Sequence, residues 1–166
     1  MEESRLLLPK FDIQRFREET DVTYRGNRRW NGNAGKVWIN GELIFEINAF
    51  ECKITADRED VIIGQSKDSK IVSLTGEGTM TIKRVFNRGF AEYLENLKAG
   101  HDTRFRLVAA LSDPDAIKGQ SERISIENLW FNDFSPLHFE KGTVIEDELS
   151  FGFTPEDLSY LETVNI

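Results

Sequence analysis

Two stretches decide the fold: LIFEINAFECKITAD at residues 43–57 and VSLTGEGTMTIK at residues 72–83. Both alternate apolar and polar residues, which is typical of β-strands because successive side chains leave a sheet on opposite faces. In the first stretch the apolar residues change from odd to even positions at Ala49–Phe50, which predicts a β-bulge or sharp bend there. The apolar positions are Leu43, Phe45, Ile47, Ala49, Phe50, Cys52, Ile54, Ala56, Val72, Leu74, Gly76, Gly78, Met80 and Ile82.

The opposite face of this predicted hairpin carries short hydroxyls and charges, with no large apolar group. Its members are Glu51, Lys53, Thr55, Asp57, Ser73, Thr75, Glu77, Thr79, Thr81 and Lys83. One apolar face and one polar face predict a sheet that packs on a protein core on one side and faces water on the other. From the pattern alone, an ordinary solvent-facing sheet is the favoured interpretation.

Size and composition predict a single globular domain. The chain has 166 residues, of which 39% are hydrophobic and twelve are Phe. No apolar run approaches the ~20 residues that span a bilayer. The run Leu6–Leu8 is too short for a signal peptide and is closed by Pro9, so we expect the chain to stay in the cytoplasm where it is made.

Catalytic and metal-binding constellations are missing from the sequence. Cys52 is the sole cysteine and occupies an apolar position, which predicts a buried, inert thiol. The two histidines, His101 and His138, lack metal-ligand spacing. There is no nucleophile elbow or phosphate-binding glycine loop. We therefore predict no catalytic residue, no metal and no cofactor, and a small acid-base enzyme is the least favoured class of function.

The net charge of −8 is spread unevenly along the chain. Residues 1–34 hold seven basic and six acidic residues, whereas residues 35–166 hold fourteen and twenty-three. An acidic body argues against tight binding to nucleic acid, whose affinity comes largely from basic residues that meet phosphates. It is compatible with a surface along which DNA passes.

The composition divides the chain into an N-terminal extension and basic arm (1–34) and a β domain (35–166). Residues 1–22 are extension-like. A basic arm follows, with Arg25, Arg28, Arg29 and Trp30 among glycines and asparagines. This arm is either a disordered terminus or a segment that crosses to an acidic neighbouring subunit.

Further elements follow from local signals. The folded domain is predicted to begin at Gly35, with a short strand at 36–39 and a type I′ hairpin turn at Asn40–Gly41. Residues 58–69 are predicted as a long projecting loop with the apolar triplet Val61, Ile62 and Ile63, which needs something to cover it.

The second half of the domain is predicted as one helix followed by strands. Spacing of Phe86, Phe90, Tyr93, Leu94 and Leu97 predicts an amphipathic helix from an Asn87 cap to Lys98, stopped by Gly100 and packed on the sheet. Strands are predicted at 104–111, 123–131 and 148–154, with a change of parity near Asn128, a turn at 112–115 and an acidic tail at 156–166.

The order of these motifs resembles the tail tube proteins of contractile phage tails and related phage-tail-like bacteriocins. The resemblance is carried by NAGKVWINGE (33–42), TGEGTMTI (75–82), the helix before Lys98–Gly100, LSDP (111–114) and ELSFGFT (148–154). It covers roughly residues 26–160 and keeps the order and spacing of the family throughout. The first 22 residues depart from the shorter start that is usual in the family.

The resemblance implies a mainly β fold: an antiparallel β-sandwich or partial barrel with one flanking helix and a long hairpin. It also implies hexameric rings that stack into a tube in the virion tail, assembled in the host cytoplasm without a membrane anchor. Partners would be other copies of the chain and the sheath, baseplate and tape-measure proteins, with transient passage of DNA.

In such a tube the wet hairpin face would line the lumen. The residues implied there are Glu51, Lys53, Thr55, Asp57, Thr75, Glu77, Thr79 and Thr81. Contacts between subunits or rings would come from Arg25, Arg28, Arg29, Trp30, Val61, Ile62 and Ile63. The alternative is a monomeric β-sandwich that binds a partner through the 58–69 loop.

Overall fold

The computed structural model describes residue 26 and residues 29–87, 89–115 and 119–164. Predictions made for residues 1–22, Arg25 and Arg28 lie outside this part of the chain. Its regular elements are β1 (Gly35–Ile39), β2 (Glu42–Ile44), β3 (Ile47–Ile63), β4 (Ser66–Lys83), α1 (Phe90–Lys98), β5 (Phe105–Leu111), β6 (Glu122–Phe131), β7 (Glu146–Phe153) and β8 (Leu158–Glu162).

All strand pairs are antiparallel, in the order β2-β1-β5-β6-β7-β4-β3, with β8 added to β6. Strand β6 belongs to both halves of the sheet. Most of it pairs with β5 and β8, whereas its last two residues, Trp130 and Phe131, pair with β7. The sheet therefore folds over at β6 and encloses a core, which confirms the predicted mainly β, antiparallel class with one helix.

The core is built from the inward positions of β1, β4, β5, β6 and β7. Its buried apolar members include Val37, Met80, Leu107, Ala109, Ile126, Leu129, Leu149, Phe151 and Phe153. Two glycines of β4 make room for the large rings of β7: Gly78 lies opposite Phe151, and Gly76 lies opposite Phe153. A Cβ on Gly76 would lie 2.5 Å from the Phe153 ring, so the Gly-x-Gly motif allows close approach of aromatic side chains.

Helix α1 places its aromatic side against one end of this core, as predicted. Buried Tyr93 contacts the rings of Phe105, Phe131 and Phe134 edge to face, with centroids 5.4–6.3 Å apart. Phe90 stacks on Phe134 at 5.7 Å. These ring contacts fix the helix on the folded-over edge of the sheet.

Turn and bulge predictions are confirmed at several positions. Asn40 and Gly41 have φ of 50° and 85°, as a type I′ turn requires. The pairing of β3 with β4 shifts between Ile47 and Ala49, within two residues of the predicted bulge. Asn128, where the parity of β6 changes, has φ of 53°, and Gly100 has φ of 80° just after the helix.

The predicted loop at residues 58–69 is wrong. Both strands continue through it to Ile63 and Ser66, and the connection is the two-residue turn Gly64–Gln65, in which Gly64 has φ of 63°. A second shift in pairing, between Asp57 and Arg58, interrupts the alternation. Because of that shift, the alternation of apolar and polar residues does not continue past Asp57, and the sequence did not predict that the strands extend further.

Two other boundaries also differ from prediction. Leu43 and Phe45 do not point into the core: Ile44 is buried instead, because the Asn40–Gly41 turn sets it opposite Val37. The helix begins at Phe90 rather than near Asn87, since Gly89 adopts a left-handed conformation with φ of 79°. Phe86 therefore lies outside the helix and packs against Phe45, with centroids 5.8 Å apart.

The end of the chain is also more ordered than a tail. Strand β7 begins at Glu146, two residues before the predicted start. Pro155–Asp157 then form a short 3-10 turn, and residues of the predicted acidic tail form β8 against β6. Leu158 of β8 packs against the core, and the other residues of β8 are exposed.

Candidate channel and assembly surfaces

The polar residues of the hairpin share one face of the sheet, here called the polar face. Their pairing across β3 and β4 is direct: Glu51 with Thr79, Lys53 with Glu77, Thr55 with Thr75 and Asp57 with Ser73. Thr81 continues the same face opposite Ala49. Each of these side chains is exposed or half-buried. The polar face is therefore a continuous hydrophilic surface of the unassembled subunit.

Interactions on the polar face are weak and leave it charged. Lys53 Nζ lies 3.4 Å from Glu77 Oε1, and both side chains are more than half exposed. The Ser73 hydroxyl donates to Asp57 Oδ2 at 2.8 Å. Exposed pairs of this kind stabilise a fold by only ~0–1 kcal/mol. Their role on this face is to keep it polar rather than to stabilise the fold.

Strand β7 extends the polar face by one further strand, which the sequence analysis did not include. Thr81 lies opposite Glu148, Thr79 opposite Ser150 and Glu77 opposite Gly152. The alternation with the buried residues Leu149, Phe151 and Phe153 indicates which side chains of β7 face away from the core, but it does not indicate that β7 lies beside β4. The indole of Trp130 covers Gly152, since a Cβ there would lie 2.7 Å from the ring.

Both sides of this three-stranded surface end in strand edges. In the described chain, β3 has no partner strand beyond β4, and β7 pairs with β6 only through its last residues. Asp133 caps β7 where that pairing stops: its Oδ1 accepts from the amide of Ser150 at 2.9 Å and from its hydroxyl at 2.5 Å. These bonds, the hydroxyl's first, lower the pKa of Asp133.

The outer part of the hairpin projects beyond the rest of the sheet. Strand β7 pairs with β4 only from Gly76 to Lys83, so residues 55–75 form a two-stranded ribbon, here called the projecting ribbon. Each of its strands is about 30 Å long at ~3.3 Å per residue. Isolated two-stranded ribbons are marginally stable in water. This part of the subunit needs support from elsewhere.

The face of the ribbon opposite the polar face is partly apolar. Leu74 pairs with Ala56, and Ile71 with Arg58, on the side that continues from the core. Leu74 is 47% exposed and Ile71 is 48% exposed. Polar side chains lie further out on this face, before Ile62 at the tip: Lys67 pairs with Asp60 at 2.7 Å, and Arg58 donates to the Ser69 hydroxyl at 3.4 Å.

The predicted contact residues Val61, Ile62 and Ile63 lie at the tip of the ribbon and are all exposed, Ile62 at 81%. They are strand residues and alternate between the two faces. Val61 and Ile63 fall on the side of the polar face, and Ile62 falls on the opposite side. The triplet is thus not one patch.

The predicted arm is described from Arg29 onward, together with Gly26. Arg29 is exposed and Trp30 is half-buried. The next residue, Asn31, donates its amide to Asp113 Oδ2 at 2.7 Å, while Asp113 Oδ1 accepts from the Asp115 amide at 2.9 Å. Buried Asp113 therefore both shapes the predicted turn and anchors the start of the folded domain.

Chemical groups for catalysis do not converge among the described residues. Burial raises the pKa of the Cys52 thiol to about 11, which suppresses its reactive thiolate. The described histidines, cysteines and carboxylates form no cluster suited to a metal ion. No helix in the described ranges is long and apolar enough to cross a bilayer.

Comparison with known proteins agrees with this geometry. The profile of the family described as "Phage tail tube protein" matches residues 22–162. The phage-like element PBSX protein XkdM of Bacillus subtilis (strain 168) is 26% identical over 136 residues, which cover 78% of this chain and 92% of XkdM.

Two solved structures share the fold at low sequence identity. The tube terminating cap of the anti-feeding prophage superposes with a TM-score of 0.66 at 7% identity, covering 87% of this chain and 97% of the cap protein. A chain of the sheath-tube complex of the extracellular contractile injection system PVC superposes with a TM-score of 0.64 at 9% identity, covering 86% and 95%. The protein belongs to the phage tail tube family, and it is a structural subunit of a virion tail rather than an enzyme.

Proposed function

We propose that the subunit assembles into hexameric rings that stack into a tube, with the polar face lining the channel. The observation that carries this proposal is the polar surface of β3, β4 and β7, which lies between the free edge of β3 and the part of β7 that does not pair with β6. Joining β3 of one subunit to β7 of the next satisfies both edges. Head-to-tail contacts of this kind close into a ring and remove edges that otherwise invite uncontrolled pairing.

The composition of the polar face suits passage of a polyanion. Among the eight residues predicted for the lumen, three are acidic and one is basic, and the others are threonines. A net negative wall repels phosphates, and threonines offer no large apolar surface on which a passing chain would stick. DNA and a tape-measure protein are the expected occupants of the channel.

The projecting ribbon is proposed to dock on a neighbouring subunit through its apolar side. Ile71 and Leu74 are about half exposed in the free subunit, and covering them removes apolar area from water. The tip residues Val61, Ile62 and Ile63 are proposed to contact the adjacent subunit or ring. Arg25, Arg28, Arg29 and Trp30 of the arm are proposed to meet an acidic surface next door, where charge pairing favours specificity.

Sheath and baseplate proteins are proposed as further partners. Chains from the PVC sheath-tube complex and from the anti-feeding prophage baseplate share this fold. Contact with a sheath needs an outward surface, and helix α1 lies away from the polar face with exposed charges such as Glu92 and Glu95. Pull-down of the tube protein with candidate sheath proteins tests this assignment.

Electron cryo-microscopy of tubes tests the channel assignment directly. Glu77→Trp is expected to add one bulky side chain per subunit to the channel wall, visible as a constriction in every ring. Glu92→Trp, on the exposed side of α1, is the matched control and should leave the bore unchanged. A Glu77→Trp tube with an unaltered bore would remove Glu77 from the channel.

A gentler probe covers the case in which Glu77→Trp blocks assembly. Glu77→Cys in assembled tubes should react with a small maleimide but only slowly with a bulky polymer-linked maleimide, because the bore restricts entry. Glu92→Cys should react with both reagents. Equal rates with the bulky reagent would place the two residues on the same accessible exterior.

The role of the ribbon is tested by assembly rather than stability. Leu74→Asp should leave the melting temperature of the free subunit within about 2 °C of wild type, because exposed substitutions cost ~0.5 kcal/mol or less. It should prevent tube formation at concentrations at which wild type polymerises. Thr75→Asp, the neighbouring residue on the polar face, is the control. A subunit that stays monomeric at rising concentration even as wild type would instead favour a monomeric binding module.

A further inference from the structure

The two ends of the long hairpin carry different apolar surfaces. At one end is the tip of the projecting ribbon, where Ile62 is 81% exposed. At the other end, Arg84 directly follows β4 and lines a pocket of about 350 Å³. Strand β4 has 18 residues, so the two ends lie about 56 Å apart at ~3.3 Å per residue. A tip therefore does not reach the pocket of its own subunit.

The pocket lies between the start of α1 and the part of the chain that follows β6. Phe86 and Leu137 belong to its lining, and they are 57% and 73% exposed. Arg84 holds one wall in place, because its guanidinium donates to the carbonyl oxygens of Ser135 at 2.6 Å and Pro136 at 3.3 Å. A pocket with fixed walls and an apolar lining is suited to receive a protruding aliphatic side chain.

Ile62 and the pocket lie on the same side of the sheet. The pocket is on the core side, because Phe90 and Phe134 of its lining stack on each other and pack against the core. Ile62 lies on the side of the ribbon opposite the polar face, whereas Val61 and Ile63 lie on the side of the polar face. If a second subunit lies beyond the tip with its polar face in line, Ile62 is the tip residue on the side of its pocket.

We propose that Ile62 of one subunit inserts into this pocket on a second copy in the next ring, an inference that rests on the tube assembly proposed above. The ribbon favours a second copy as the partner, because it extends about 30 Å past the pairing of β4 with β7, into space that a copy stacked end to end would fill. Two different surfaces at opposite ends of a subunit make a head-to-tail contact. Such a contact repeats as a linear stack.

The size of the contact determines when it forms. One tip in one pocket buries roughly a few hundred Å², whereas stable pairwise interfaces bury ~1,200–2,000 Å² in total. Two free subunits are therefore not held together by this contact alone. A ring presents several tips to several pockets at once, and their binding energies then act together. The contact thus favours the stacking of rings over the pairing of single subunits.

Crosslinking in assembled tubes tests the contact. A chain with both Ile62→Cys and Leu137→Cys, treated with a short bismaleimide at neutral pH, should give a ladder of covalent dimers, trimers and longer oligomers on a denaturing gel. Cys52 should contribute little, because burial raises its pKa to about 11. Val61→Cys with Leu137→Cys is the matched control and should link several-fold less, because Val61 lies on the other side of the ribbon. Dilute free subunits should not link.

Four results would overturn the proposal. Tubes that assemble but give no ladder, with both thiols labelled after denaturation, would show that the tip and the pocket do not meet. Equal ladders for the Ile62 and Val61 variants would show proximity without insertion into the pocket. A ladder that stops at the number of copies in one ring would show that the contact runs around the ring. Covalent dimers of dilute free subunits would show that the pocket pairs single chains.

A second measurement covers the case in which the paired cysteines block assembly. Ile62→Asp and Leu137→Asp should each shorten the tubes at least several-fold in electron micrographs while rings still form, because each places a carboxylate against an apolar surface. Both side chains are exposed, so each free subunit should stay folded. Tubes of wild-type length in both variants would contradict the proposal. A wild-type protein that forms neither rings nor tubes would instead contradict the tube assembly itself, so the two failures are distinguishable.

Discussion

Gly78→Ala is the substitution whose cost follows most directly from the structure. Gly78 lies opposite Phe151, whose side chain is fully buried and stacks on Phe50 with centroids 5.9 Å apart. A Cβ on Gly78 would lie 2.7 Å from Phe151 Cε2 and closer still to the carbonyl oxygen of Glu51. The ring can turn aside, but the carbonyl belongs to the paired backbone of β3. Relief therefore requires movement of a strand.

The expected cost is about 3 kcal/mol, the upper end of the range for inserting a methyl group into a packed interior. Loss of glycine freedom in the unfolded chain offsets this by ~0.4–1 kcal/mol, which leaves a net destabilisation of about 2–2.6 kcal/mol. At roughly 2–4 °C per kcal/mol for a chain of this size, the melting temperature should fall by about 5–10 °C.

Urea and thermal unfolding of the isolated subunit, followed by circular dichroism, measure this change. Gly32→Ala is the matched control, because a Cβ there meets nothing within 4 Å and the backbone is not left-handed. It should alter the free energy of unfolding by ~0.5 kcal/mol or less. If Gly78→Ala were as stable as Gly32→Ala, the claim that β7 rings rest directly on the glycines of β4 would be refuted.

Three further predictions concern the burial and charge of individual side chains. Arg84→Met should lower the free energy of unfolding by about 3 kcal/mol, because it removes the guanidinium that pairs with Asp147, whose side chain is only 8% exposed. Lys53→Met breaks an exposed ion pair and should lower the free energy of unfolding by ~1 kcal/mol or less in the same denaturant assay. Equal costs would contradict this reading. Asp133→Ala should destabilise the subunit at neutral pH and progressively less as the pH falls below about 4, because a carboxyl whose pKa is lowered in the folded state stabilises the fold only while it is ionised. If the difference in melting temperature between wild type and Asp133→Ala did not change with pH, the hydrogen bonds of Asp133 would not favour its charged form. Cys52, with a pKa of about 11, should react with a disulfide reagent at least ~100-fold more slowly at pH 7 than a thiol of pKa 9. Its reaction rate should rise about tenfold per pH unit until the pH reaches about 11. A rate that levels off near pH 9 would count against a buried thiol.

Much of the fold was predictable because it rests on local rules. Alternation identified β3, β4, β5 and β7 as strands, since each has one side in the core and one side in water. Asn40–Gly41 fixed the first hairpin, because few other pairs adopt two positive φ values. The Gly-x-Gly motif of β4 is visible in the sequence, whereas the rings that lie opposite its glycines, Phe151 and Phe153, are known only from the pairing of β4 with β7.

The incorrect predictions have other physical causes. Residues 58–69 lie on a ribbon that is exposed on both sides in the free subunit, so burial imposes no alternation there, and the bulge beside Arg58 breaks what pattern remains. Strand β8 pairs with a strand about 35 residues away, and its alternation is short and acidic. The predicted helix start is too early because the spacing of apolar residues includes Phe86, whereas the left-handed Gly89 precedes the first helical residue, Phe90.

The candidate site was predictable only in part. The polar side of β3 and β4 followed from parity, whereas the contribution of Glu148 and Ser150 required knowledge that β7 lies next to β4. The alternation pattern did not predict the orientation of the tip residues, because residues 58–69 were predicted as a loop, whereas Val61 and Ile62 lie on opposite sides of a strand. Which surfaces meet another copy is a property of two molecules, and a single chain's pattern does not encode it.

The carboxylate of Asp133 has a consequence for how neighbouring subunits can meet. By occupying the Ser150 amide, it leaves a stretch of only four residues, Glu146–Leu149, on which an incoming strand can hydrogen-bond. A pairing segment this short does not allow the incoming strand to bind in more than one register. Each junction around a ring would then adopt the same offset, and errors of alignment would not accumulate from one subunit to the next.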